Sequence, residues 1–154
     1  MINKEVKNIC KYVLAYVKEL TKDNNSIASD MGGACAIGSY ILYRILKKKS
    51  YDAEFILLES YICHCFVRLN GFILDITVKQ FETFEKELPN ILIIKENRYF
   101  KHVPELKKCY LDNKTFSNRN ALNKIKSWDD QSPFYYKNKI NNTIRSINNL
   151  NFST

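Results

Sequence analysis

The chain has 154 residues, 45% of them hydrophobic and 13% aromatic, which suits one folded domain with a real core and argues against a disordered segment. No apolar run approaches the ~18 residues of a membrane-spanning helix, and Lys4, Glu5, Lys7, Lys11 and Lys18 break up any signal-peptide core at the start. The net charge of +8 is unevenly placed: residues 1–94 carry 12 basic and 11 acidic residues, residues 95–154 carry 12 and 5. Five cysteines, an odd number without small-scaffold spacing, read as the reduced thiols of a cytoplasmic protein.

In chain order, apolar residues at Val6, Ile9, Cys10, Val13, Leu14, Val17 and Leu20 predict an amphipathic helix over 3–20. The polar stretch "TKDNNSIASDMGG" then predicts a loop of about a dozen residues, a length often tied to function. A second helix is predicted to open at Cys35, with Ile37, Ile41 and Ile45 on one face and cations Lys47, Lys48 and Lys49 at its end. Short runs at 53–59, 61–69, 72–78 and 90–94 predict strands, and Asn70-Gly71 predicts a two-residue hairpin turn between the second and third. Helices are expected in "NALNKIKSW" and "YKNKINNTIRSINNL". Helices that lead and an antiparallel sheet that follows indicate an α+β fold, with a helical C-terminal part, in one domain over 1–154.

The turn at Asn70-Gly71 fixes a register. Leu69 faces Phe72, Arg68 faces Ile73, Val67 faces Leu74, Phe66 faces Asp75, Cys65 faces Ile76 and His64 faces Thr77. Alternation puts His64, Phe66, Asp75 and Thr77 on one side of the sheet, with His64 and Asp75 diagonal neighbours, and turns Cys63 and Cys65 to the other side. Asp75 lies in an apolar strand, where a carboxylate is costly unless partnered. An imidazole acting as a base needs such a carboxylate to hold its tautomer. A helix start favours a thiolate. Docking of the Cys35 helix on the His64 face would therefore assemble a nucleophile, a base and an orienting group.

The stretches "GGACAIGSYILYRIL" and "HCFVRLNGFILDITVKQF" resemble the transglutaminase-like branch of the papain-like cysteine enzymes, over about residues 30–81. The resemblance implies a Cys at the start of a central helix packed on an antiparallel sheet. It implies Cys35 as nucleophile, His64 as base and Asp75 as orienting carboxylate. Two departures stand out: Cys65 follows the histidine where an aromatic is common, and no Gln precedes Cys35 to serve an oxyanion. The N–H of Cys35 is one candidate donor, and Asn24, Asn25 or Ser26 are candidates for the second.

The expected function is hydrolysis of an amide in a protein or peptide substrate through a thioester, or transfer to an amine, with no cofactor. The alternative is a non-catalytic binding or inhibitor protein that uses its basic last third to contact a protein or nucleic acid. "CHC" at 63–65 is not expected to hold a metal, because alternation separates the sulfurs from the imidazole, and His102 with Cys109 fits no zinc spacing. Trp128, Phe134, Tyr135 and Tyr136 are costly to leave in water. The last third is therefore expected to pack on the catalytic unit and shape its cleft rather than form a nucleic-acid arm.

Overall fold

The fold is an α+β arrangement, seen in a computed structural model that describes residues 1–111 and 114–152. Helix α1 (Lys4–Thr21) follows its predicted stripe: Val6, Ile9, Cys10, Val13, Leu14 and Val17 are buried. The Asn3 side chain caps it, accepting the Val6 N–H at 2.9 Å. Helix α2 (Cys35–Lys48) opens at the cysteine and ends on Lys47 and Lys48, cations at the negative end of the dipole.

The strands are β1 (Ala53–Leu58), β2 (His64–Leu69), β3 (Phe72–Asp75), β4 (Leu92–Lys95) and β5 (Thr115–Ser117). All neighbours pair antiparallel, in the order β4-β3-β2-β1-β5. Asn70 at φ 51° and Gly71 at φ 75° form the predicted turn. The ladder pairs Leu69 with Phe72, Arg68 with Ile73 and Val67 with Leu74, as the turn dictates. Strands β2 and β3 are shorter than predicted. Residues 61–63 form a bend, and β3 stops at Asp75, which pairs with Leu92. Thr77 therefore lies in a turn rather than opposite His64, and its N–H and hydroxyl both serve the Asp75 carboxylate instead of a ladder.

The two sheet faces carry different layers. Helix α2 rides on the face of Val67, Leu69 and Leu74, in a core shared with α1. The opposite face, with Ile56, Leu58, Phe66 and Ile73, is covered by helices α3 (Glu96–His102) and α4 (Lys107–Leu111). Helix α5 (Asn118–Ile125) adds Ala121 and Ile125 to a third cluster with Cys35, Phe55, Leu57 and Cys65. Helix α6 (Lys137–Ile147) returns to the first core through Ile140, Ile144 and Ile147. The basic last third is thus packed against both faces. The short helices α3 and α4 and strand β5 were not legible as elements, being too brief to show a period. No helix among the described residues is long and apolar enough to cross a membrane.

Gly38 sets how closely α2 approaches the sheet. A Cβ there would stand 3.1 Å from Ile76 Cδ1. The next residue, Ser39, is small enough to donate its hydroxyl to the carbonyl of Cys65 at 3.0 Å. That contact locks the first turns of α2 over the beginning of β2.

Candidate active site

The loop before α2 delivers Cys35 through a backbone only glycine tolerates. Gly33 has φ 87°, and a Cβ would stand 2.7 Å from the Ser26 carbonyl oxygen and 3.2 Å from the Gln131 carboxamide. The helix then begins without a side-chain cap, since Ala34 occupies that position. Its first N–H groups have no intrahelical acceptor, and their partial positive charge lies beneath the thiol.

Cys35, His64 and Asp75 come together at one end of the sheet. Cys35 is 4% exposed, and His64 and Asp75 are fully buried. His64 Nε2 lies 2.8 Å from Asp75 Oδ2. That oxygen also accepts the Tyr99 hydroxyl at 2.7 Å, while Oδ1 accepts the Thr77 N–H at 2.9 Å and the Thr77 hydroxyl at 3.3 Å. Four donors on one buried carboxylate hold it in place. The imidazole and the Phe81 ring pack nearly perpendicular, 4.8 Å between centroids, which restrains the ring plane.

The approach of the helix differs from the sequence-based expectation. Helix α2 docks on the Cys65 face, not on the His64 face, because Val67, Leu69 and Leu74 offer the apolar surface that its isoleucines need. Cys35 nevertheless meets the imidazole, because His64 is the first residue of β2 and sits at the sheet end where α2 begins. Cys65, expected to point away from the triad, is instead a neighbour of Cys35.

These contacts set the charges. The Cys65 thiol, donating to the Cys35 sulfur, holds the Cys35 pKa well below the ordinary thiol value, and the His64 imidazole adds to this against the cost of burial. Burial works against an imidazolium, but the charge and hydrogen bond of Asp75, with the Cys35 sulfur, push His64 up to about 10. Cys65 is itself pushed up by burial and by Cys35. Gln80 pulls the other way, since its amide nitrogen lies 3.1 Å from His64 Nδ1 and 3.0 Å from the Thr77 carbonyl. An N–H aimed at Nδ1 favours the neutral ring. Charge-assisted bonds are roughly twice as strong as neutral ones, so Asp75 and the thiolate win and the imidazolium prevails.

A cleft of about 460 Å3 opens on Cys35, lined by Gly33, Cys63, Gln80, Trp128, Asp129, Asp130 and Gln131. The larger hollow, about 510 Å3, borders Gly71, Lys95, Glu96, Asn97, Phe100 and Tyr110 and contains no nucleophile. The oxyanion donors expected in the loop are placed elsewhere. Asn24 donates to the Asp130 carbonyl and the Tyr136 hydroxyl, Ser26 donates to Asp130 Oδ2, and Asn24 and Asn25 line a separate hollow. The side chains of Asn24 and Ser26 thus close the loop onto the last third. Among the described residues no three His, Cys, Asp or Glu side chains group as a metal would require. His102 is exposed at the end of α3, and Cys109 is buried.

Sequence reasoning missed Tyr99, Gln80 and Gln131. Tyr99 sits on a seven-residue helix with no visible period, so nothing tied it to Asp75 across 24 positions. Gln80 follows Asp75-Ile76-Thr77 closely enough for the turn to have suggested it. Gln131 is brought to Gly33 only by the packing of the C-terminal segment. No family model matches the chain, and no match was found among curated proteins or solved structures.

Proposed function

We propose that the chain is a cysteine hydrolase of the transglutaminase-like kind, cleaving an amide bond in a protein or peptide through a thioester. The observation that carries this reading is the buried His64, bound to Asp75 through Nε2 while the ring interacts with a thiol at an uncapped helix start. The Cys35 thiolate attacks the carbonyl carbon. The N–H of Cys35 and the carboxamide of Gln131 receive the developing oxyanion; the Gln131 amide makes only a long 3.5 Å bond to Ser26 and rests against Gly33. As the C–N bond breaks, the proton on Nδ1 of His64 passes to the leaving amine. The imidazole then takes a proton from water, whose oxygen attacks the thioester and frees the acid and the thiolate. Asp75 and Tyr99 hold the ring through both steps. All five cysteines are free, which fits a cytoplasmic setting.

The pH dependence tests the ion pair. Cys35 titrates below the ordinary thiol range and His64 near about 10, so the thiolate–imidazolium pair fills the interval between them. Alkylation of Cys35 by iodoacetamide should stay fast down to mildly acidic pH, while Cys10, pushed up to about 12 by burial, stays inert. Amide hydrolysis should fall on the alkaline side near pH 10 as the imidazolium is lost. A Cys35 alkylation curve centred near ~8.5, that of a free thiol, would refute the nucleophile assignment and favour a non-catalytic binding protein.

The cleft also favours a type of substrate. Its charged lining residues are Asp129 and Asp130, beside the indole of Trp128. Asp130 is bonded to Ser26, whereas Asp129 is exposed at a positive φ of 47°. Carboxylate and indole together suit a lysine or arginine flanking the scissile amide. Acyl-electrophile peptides with a flanking lysine should label Cys35 about two- to fivefold faster than those with glutamate, and Asp129→Asn should narrow that gap. Equal labelling of both peptides by the unmutated protein would dismiss the preference.

A further inference from the structure

We propose that Cys35 and Cys65 form a reversible disulfide that takes the nucleophile out of action when peroxide reaches the cleft. Cys65 forms no bond to substrate in the hydrolytic cycle and only lowers the Cys35 pKa, yet its position is tightly set. Gly38 brings α2 against the sheet, and Ser39 bonds the Cys65 carbonyl at 3.0 Å. One turn before Ser39, Cys35 lies in the same packed cluster as Cys65, with Phe55 and Leu57 around them. Both side chains are buried in that cluster, Cys65 completely, and each sulfur shifts the other's protonation.

The chemistry balances with hydrogen peroxide as the oxidant. The Cys35 thiolate attacks one peroxide oxygen, the O–O bond breaks, and the leaving hydroxide takes the His64 imidazolium proton to become water, giving a sulfenic acid. The Cys65 sulfur then attacks the Cys35 sulfur. The S–S bond forms, the S–O bond breaks, and the Cys65 proton departs with the hydroxyl as water. Two thiols are oxidised and one peroxide is reduced to two waters. Peroxide enters through the cleft, which Cys35 lines while Cys65 is fully buried behind it. Order of attack follows: Cys35 is oxidised first and Cys65 resolves it. Cys63 lines the same cleft but is exposed in the bend before β2, its thiol turned 3.7 Å from the Ser60 carbonyl.

The inference needs the reactive thiolate of the proposed function but not its amide chemistry. The full chain, treated with a small excess of hydrogen peroxide and kept unreduced, should lose about 2 Da and regain it with dithiothreitol. Trypsin should yield the peptide of residues 23–44 bridged to that of 50–68, which carries both Cys63 and Cys65. The bridge should persist in Cys63→Ser. In Cys65→Ala it should vanish and Cys35 should gain about 32 Da as sulfinic acid. If Cys65→Ala does not fold, fragment ions of the bridged peptide from Cys63→Ser decide the pairing. A bridge to Cys63, or sulfinic acid at Cys35 in the unmutated protein without any bridge, overturns the proposal. Cys35 that resists peroxide but is alkylated readily overturns this inference alone. Resistance to both reagents overturns the proposed function as well.

Discussion

Asp75→Asn is expected to slow alkylation of Cys35 at pH 6 by about tenfold or more, since each unit by which the thiol pKa rises removes about nine-tenths of the thiolate. Without the carboxylate, burial dominates at His64 and the ring stays neutral, so the thiolate loses its counter-charge. The substitution also strains the fold. Asp75 accepts four hydrogen bonds, and an amide presents a donor to one side of that ring of donors whichever way it turns. One buried donor–donor conflict costs about 1–3 kcal/mol, a visible shift in a urea midpoint. Asp52→Asn, at an exposed position, should change neither quantity. A folded Asp75→Asn protein alkylated within about threefold of the unmutated rate at pH 6 would remove Asp75 from the mechanism.

The sequence carries the pairing of His64 with Asp75 because it depends on local rules. Asn70-Gly71 admits one turn geometry, the turn fixes the register, and alternation does the rest. The start of α2 at Cys35 is equally local, set by two glycines before an apolar period. The way these pieces meet is not local. The choice of sheet face for α2 rests on the relative apolar area of two faces, and the covering of the second face by α3 and α4 is invisible in segments of seven and five residues. The cleft depends on such contacts too. Gln131 reaches Gly33 across 98 positions, so a local reading looked for donors at Asn24, Asn25 and Ser26 and not there.

Truncation after residue 94 is expected to leave a chain that does not fold. It removes Ile140, Ile144 and Ile147 from the core shared with α1 and α2, and Tyr99, Val103 and Leu106 from the opposite face of the sheet. Replacing one such buried isoleucine by alanine costs about 2–5 kcal/mol, against a typical domain stability of about 5–15 kcal/mol. Loss of all six side chains exceeds that margin. Expression of residues 1–94 should give insoluble material or a chain without a cooperative urea transition, and trypsin should not trim the full protein to a stable fragment ending near residue 95. A soluble, cooperatively folding 1–94 fragment with a fast-reacting Cys35 would make the last third an appendage.

The order in which the chain leaves the ribosome gives the packing of α6 a further meaning. Cys35, His64 and Asp75 are all synthesised before the tyrosine that steadies Asp75, the glutamine that rests on Gly33 and the isoleucines that close the core. Domains fold as cooperative units once their parts have emerged. On the proposed function, a nascent chain would carry its sulfur as an unactivated thiol until the residues of α6 are free to dock. The connectivity that packs the last third onto both faces of the sheet would then act as a timer, withholding a reactive group while unfolded neighbours are within reach.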